Sequence, residues 1–213
     1  MTPPTQTGRV VSLNVGLPRA VMWRGREITT AIWKQPVEGP VALHGVNFDG
    51  DDQADRRVHG GDDKAVYAYA TEDYDWWSAT VGASAPGTFG ENLTTTGIDL
   101  RASSVGDRWR VGSAVLEVAQ PREPCFKLGI RMDDDTFPGR FAEANRPGAY
   151  LRIVTPGTVT AGDTIHVHPA APPAIPLVAL LTDWDDRDLL QIVATDPRVP
   201  LNWRRAAERE LNR

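Results

Sequence analysis

Short segments of period-two alternation, broken again and again by glycine, restrict this fold more than any other feature of the chain. Residues 10–15 set Val11, Leu13 and Val15 on one side and Ser12 and Asn14 on the other, as a half-buried strand requires. Residues 27–33 repeat the pattern through Ile28, Thr30 and Ile32, and Arg24-Gly25-Arg26 joins them to residues 20–23 as a hairpin. Further strands are expected at 113–119, 149–154 and 164–168, each introduced by a turn at Gly112, Gly148 or Gly162. Helical spacing interrupts twice. Thr71 can cap a helix over 71–80 whose stripe is Tyr74, Trp77 and Val81, and a shorter helix over 137–144 follows Asp133-Asp134-Asp135. Alternating strand–helix–strand units and phosphate-binding glycine loops are both absent. A mainly β fold with inserted helices, a closed or partly closed β-barrel, is therefore expected.

Residues 169–176 hold four prolines and read as a stiff, unpaired connector. Beyond it the apolar spacing becomes helical, through Leu189, Ile192 and Val193 and then Trp203, Ala207 and Leu211. The expected division is a barrel domain over 1–168, a linker over 169–176 and a small helical C-terminal domain over 177–213. Its apolar stripe must pack on the barrel or on a second copy, so a homodimer is one expectation. A chain of 213 residues can bury a core without staples. Its formal charge of −5 argues against a nucleic-acid polymer as partner. No stretch approaches the roughly 18 apolar residues of a membrane span, and residues 1–8 lack the features of a signal peptide. The single cysteine, Cys125, fits a reducing cytoplasm.

Three segments carry groups that packing alone does not demand. In Val58-His59-Gly60-Gly61-Asp62-Asp63-Lys64, paired glycines let a ligand approach the backbone while His59 and Lys64 offer donors; a tight turn with a surface histidine is the plain alternative. In Phe89-Gly90-Glu91-Asn92-Leu93, a carboxylate and an amide could read a polar ring edge, or Glu91 could be a solvated charge and Asn92 a turn former. In Gln120-Pro121-Arg122-Glu123-Pro124-Cys125-Phe126-Lys127, two prolines stiffen the backbone and two cations favour the thiolate of Cys125, which could also be a buried hydrophobe. His166 and His168 face the same way on a strand, without a third metal ligand nearby in sequence. The acidic run 49–55 lacks the spacing of a calcium loop and reads as a solvated loop.

Taken in order, these segments resemble those of MOSC domains, the C-terminal domains of molybdenum cofactor sulfurases, and Gly50-Asp51-Asp52-Gln53-Ala54-Asp55 resembles another element of that family. The tail after Pro176 is similar to the three-helix appendage of the YiiM-like subgroup, bacterial proteins linked to hydroxylaminopurine resistance. The resemblance implies a MOSC-type β-barrel that binds the molybdenum cofactor (molybdopterin), with Cys125 ligating the metal. It places His59, Gly60, Gly61, Glu91 and Asn92 at the cofactor pocket, with Arg122 and Lys127 as candidates for its phosphate or for the thiolate's counter-charge. The implied activity is two-electron removal of oxygen from N-hydroxylated compounds such as hydroxylaminopurine or amidoximes, with His59 or Lys64 as proton source. Electrons must then come from a separate reductase, since no flavin fingerprint or iron–sulfur cysteine set is present. No aminotransferase-like half accompanies the motifs, so a complete, pyridoxal-phosphate-using sulfurase is not implied. The alternative is a non-catalytic carrier of the cofactor or its sulfur.

Overall fold

Seven strands close on themselves, and every other element is placed by that ring. The computed structural model describes residues 6–54, 60–82 and 84–213. From the N-terminus run β1 (Gln6–Val15), the hairpin β2 (Arg19–Trp23) and β3 (Arg26–Thr30), then β4 (Gln35–Pro36), β5 (Val41–His44) and β6 (Asn47–Phe48). After a 3₁₀ turn at Asp62–Lys64 come β7 (Val66–Ala70), α1 (Thr71–Val81), β8 (Leu93–Thr96), β9 (Arg108–Val111) and β10 (Ala114–Pro121). Helices α2 (Phe126–Met132) and α3 (Phe137–Glu143) lead to β11 (Ala149–Thr155), β12 (Gly157–Val159) and β13 (Thr164–His168). The chain ends in α4 (Ala179–Thr182), α5 (Arg187–Thr195) and α6 (Leu201–Leu211). The order β13-β9-β10-β11-β7-β8-β1 is sealed by pairing of β1 with β13, and only β7 and β8 run parallel.

Alternation sets the inside of the ring. Trp109 and Val111 of β9 and their partners Val167 and Ile165 of β13 are buried, while Arg108, Arg110 and His166 point outward. In β1 the expected face is buried only in part: Leu13 is in the core and Val15 packs on it, but Val11 is not. A register shift between Val10 and Ser12 turns Val10 and Leu13 inward and leaves Val11 43% exposed. A bulge adds one residue and flips the side chains beyond it. In α1, Thr71 is the first helical residue rather than the cap, and Ala70 takes the cap position without a side-chain hydrogen bond.

Strand β7 is buried on both faces. Val66, Ala68 and Ala70 face the barrel core, while Tyr67 and Tyr69 join Trp77 of α1, Phe89, Leu128 of α2 and Phe137 and Phe141 of α3 in a second cluster. Each such aromatic ring removes roughly 150–250 Å² from water, a gross gain of about 4–6 kcal/mol. That layer is strong enough to hold charged groups beside it. It forms the floor on which the site is built.

The Pro/Ala run is not unpaired. Val105 N–H donates to Ile175 O (2.9 Å), Leu177 N–H to Ser103 O (2.8 Å), and Ala170 N–H to the Asp107 carboxylate (2.8 Å). A stretch rich in proline still has carbonyls to offer, and the loop at 103–107 uses them. Ile175, Leu177, Leu190, Val193 and Trp203 lie in the same apolar cluster as the barrel core, so the helical tail packs on the barrel of its own chain. Among the described residues no helix is long and apolar enough to cross a membrane.

Candidate functional site

Between the barrel rim and the aromatic layer lies a hollow of about 710 Å³, open solvent included. Six pieces of chain wall it: residues 30–34 at the end of β3 and beyond, the 51–54 loop, residues 64–67 from the Lys64 turn into β7, the 90–92 loop, residues 122–127 at the junction of β10 and α2, and Tyr150 of β11. Cys125 is there, half-buried at the start of α2, where its carbonyl accepts from Leu128 N–H (2.9 Å). Arg122, Lys64, Lys127, Lys34 and Asn92 share the lining, so the structure brings most of the expected site residues to one place. His59 lies outside the described residues.

Arg122 is 6% exposed and fixed from three sides. It donates to the Phe89 carbonyl, and its guanidinium lies 4.8 Å from the Tyr67 ring and 5.7 Å from that of Phe141. Burial alone would pull its pKa down, but the Tyr67 and Tyr150 phenols and the Cys125 sulfur nearby outweigh it, and the net direction is up. The cation is permanent and sits close to the thiol. Burial pushes both phenols up as well, so they stay neutral. Lys64 places its ammonium 5.9 Å from the Tyr150 ring.

Gly60, Gly61 and Glu91 are not part of the lining. Gly61 (φ +93°) turns the chain into the 3₁₀ turn, and its N–H donates to Gln53 Oε1 (2.9 Å), while Gln53 Nε2 donates to Lys64 O (3.1 Å). Gln53 thus clamps the turn that presents Lys64. Glu91 is fully buried and is neither a cavity carboxylate nor a solvated charge. Its Oε1 accepts from Tyr74 Oη (2.5 Å), Gly87 N–H (2.6 Å) and Thr94 Oγ1 (2.7 Å). This fastens the 87–92 loop to α1 and β8, and the loop lies close against residues 32–34. The fit leaves no room for side chains: a Cβ on Gly87 would lie 2.6 Å from Lys34 O, and one on Gly90 2.8 Å from Ile32 Cγ1. Asn92 spends its amide on Tyr67 N–H (3.1 Å), Asn14 O (3.2 Å) and Asp51 Oδ2 (2.9 Å).

Two charged residues of the site carried no role in the sequence reading. Lys34 is 7% exposed and ion-paired with Asp51, whose carboxylate also accepts from Gly16 N–H (2.8 Å). Asp51 is therefore buried structure, not part of a solvated loop. Burial pushes the Lys34 pKa down against the pull of Asp51. A lysine directly after the apolar Ile32-Trp33 was the one local signal, and its partner lies 17 residues away. His166 and His168 are elsewhere, with Arg110 and Asp163. Among the described residues no group of three or more His, Cys, Asp or Glu could hold a metal ion.

Burial also raises the Glu91 pKa above its ordinary 4.5. The folded state then binds the extra proton in the window above that value, so this contribution is present in acid and is lost as pH rises through the folded value. Glu91→Gln is expected to cost no more than about 1 kcal/mol and to remove that decline. Glu91→Ala orphans three donors and is expected to cost about 3 kcal/mol. Urea unfolding of both variants from acid to neutral pH measures the difference.

The sequence profile of the MOSC domain matches residues 55–166. The uncharacterized protein YflK of Bacillus subtilis (strain 168) is 36% identical over 159 residues, 74% of this chain and 72% of that protein. A protein of Gibberella moniliformis named "Reductase" is 37% identical over 146 residues, 66% of this chain but only 26% of its own greater length. The crystal structure of YiiM from Geobacillus stearothermophilus superposes with a TM-score of 0.79 at 27% identity, covering 96% of this chain and 99% of that one. The profile match, the sequence relatives and the superposed barrel agree: the chain belongs to the MOSC domain family.

Proposed function

We propose that this protein is a molybdenum-cofactor-dependent reductase of N-hydroxylated small molecules, with Cys125 as the protein ligand to the metal. One observation carries the reading: a half-buried thiol shares a single hollow with four cationic side chains, Lys34, Lys64, Arg122 and Lys127, against the carboxylates of Asp51, Asp52 and Glu123, the first of which is paired with Lys34. The donor set fits the group. A soft anionic sulfur suits molybdenum, and cations in the walls suit the phosphate of its organic ligand. The name of the fungal relative and the family's association with the cofactor support the same reading. When bound, the cofactor supplies two-electron redox chemistry at the metal.

The chain's own residues then divide the work. Cys125 anchors the metal from the start of α2. Arg122, locked on the Phe89 carbonyl and two rings, places a fixed positive charge in the same hollow. Lys64 and Lys127 face the hollow where an anionic cofactor would lie. Thr30, Ala31 and Ile32 complete the lining beside Lys34. A separate reductase supplies electrons.

Protein purified from a molybdenum-replete host should contain about one molybdenum per chain and turn over benzamidoxime or hydroxylaminopurine with dithionite as donor. Cys125→Ser should lose most of the metal, because a hydroxyl is a poor soft ligand, while its unfolding midpoint changes little. Full metal content in Cys125→Ser overturns the ligand assignment. Loaded protein that reduces no N-hydroxy compound but passes cofactor stoichiometrically to an apo-acceptor is a carrier instead.

A further inference from the structure

We propose that Lys34 is the proton donor to the departing oxygen when the N–O bond breaks, and that Asp51 is the residue that positions it; this rests on the reductase reading above and adds a catalytic residue to it. Lys34 lines the hollow, yet its ammonium is held almost entirely out of water. Putting an ammonium and a carboxylate out of water is costly, and such a pair seldom contributes net stability. Its place in a cavity wall therefore calls for a reason other than folding.

The surroundings hold that ammonium still. Asp51 is itself fixed by Gly16 N–H (2.8 Å) and Asn92 Nδ2 (2.9 Å), so its carboxylate cannot follow Lys34 if the side chain swings. An ammonium has three N–H bonds, and one toward Asp51 leaves others for a substrate. Two other proton-bearing groups of the wall are poorer donors. Tyr67 gives its hydroxyl to Pro147 O (2.8 Å), and a guanidinium such as Arg122 does not release a proton near neutral pH. The charged groups facing Lys34 are Asp51 and Glu91, which hold its proton, and Arg122, which loosens it. Burial dominates and makes the ammonium more acidic than an exposed lysine, the direction a general acid requires.

The reaction balances as R–NH–OH plus two electrons and two protons giving R–NH₂ plus water. The N–O bond breaks. The electrons come from a flavin- or iron–sulfur-type reductase, or from dithionite in the test. Lys34 gives one proton to the leaving oxygen, water gives the other to nitrogen, and Lys34 recovers its own from solvent through the open side of the hollow.

Lys34→Arg keeps the charge and the pairing with Asp51 but cannot act as an acid, so it is the decisive variant; Lys34→Met is its companion. In cofactor-loaded protein with benzamidoxime and dithionite, both should lower kcat by about 100-fold or more with KM within about threefold. Molybdenum per chain should be unchanged in Lys34→Arg. Independently of turnover, ¹⁵N spectra of cofactor-free protein should show the Lys34 ammonium titrating below the other lysines, and lower still in Asp51→Asn. Wild-type kcat in Lys34→Arg overturns this proposal alone, as does loss of molybdenum in that variant or titration of Lys34 together with Lys64 and Lys127. Absence of turnover in loaded wild-type protein overturns the reductase reading, and this role with it.

Discussion

Asp51→Ala is expected to destabilise the protein by about 3–5 kcal/mol, the usual result of stranding one partner of a buried ion pair. Side-chain exposure is 9% for Lys34 and 3% for Asp51, so water cannot replace the missing partner without opening the wall. Two more donors lose their acceptor at the same time, Gly16 N–H and Asn92 Nδ2. Lys34→Met should be milder, at about 1–3 kcal/mol, because the Asp51 carboxylate keeps those two hydrogen bonds. The sign of the pH dependence distinguishes this account from simple loss of packing. In Asp51→Ala only Glu91 still opposes burial at Lys34, so its folded pKa falls further below the unfolded 10.5. Between those values the unfolded chain binds the extra proton, so stability rises with pH across that window. The defect should therefore shrink in alkali and be greatest at neutral pH and below. Urea unfolding of wild type and both variants across that range gives the answer, and an Asp51→Ala defect that does not change with pH would show that Lys34 is not what the carboxylate holds.

What was legible beforehand was whatever is local. Alternation and glycine turns were enough to find the strands over 149–154 and 164–168 to within a residue, because period-two burial is written in neighbouring positions. The helical tail was legible for the same reason, since Leu189, Ile192 and Val193 recur at helical spacing in α5. The face of β1 was legible at Leu13 but not at Val11, because the register shift against β8 between Val10 and Ser12 is decided across strands. Nor was the buried network of the site. Glu91 looks like a surface charge until Tyr74, Gly87 and Thr94 are brought around it by α1 and β8. Lys34 and Asp51 meet only because β4 pairs with β1 and the 51–54 loop folds back to Gly16. Cys125 and Arg122 were visible through their own unusual segment, whereas the short helix that Cys125 opens was not, being too brief to show a period.

The second large effect is expected far from the thiol, at Trp203. Trp203→Ala should cost about 3–5 kcal/mol, since a large ring that is 6% exposed and stacked 6.0 Å from Trp184 would leave a cavity between α6 and the barrel. The loss should also be felt at the site. Trp203 Nε1 donates to Gln120 Oε1 (2.9 Å), and Gln120 Nε2 donates to Asp63 O (3.2 Å), the residue before Lys64. Arg152 makes a parallel tie, from the carbonyl of Arg198 in the tail (3.0 Å) to Asp63 Oδ1 (2.9 Å) and Glu117 Oε1 (3.1 Å). The tail is thus bonded through two side chains to the turn that presents a wall cation. Trp203→Phe separates the two effects, because it keeps most of the ring and removes the N–H, at a cost of about 1–2 kcal/mol for the buried Gln120 oxygen left bare. With Gln120 loosened, the turn's own bonds, Lys64 N–H to Gly61 O (3.1 Å) and Ala65 N–H to Asp62 O (3.3 Å), should open more often. Amide exchange at Lys64 and Ala65 should therefore quicken in Trp203→Phe by more than the global loss of stability accounts for, while the amides of β9 and β13 change only by that global amount. Uniform quickening across the barrel would mean that α6 supports the fold as a whole and has no particular hold on the site.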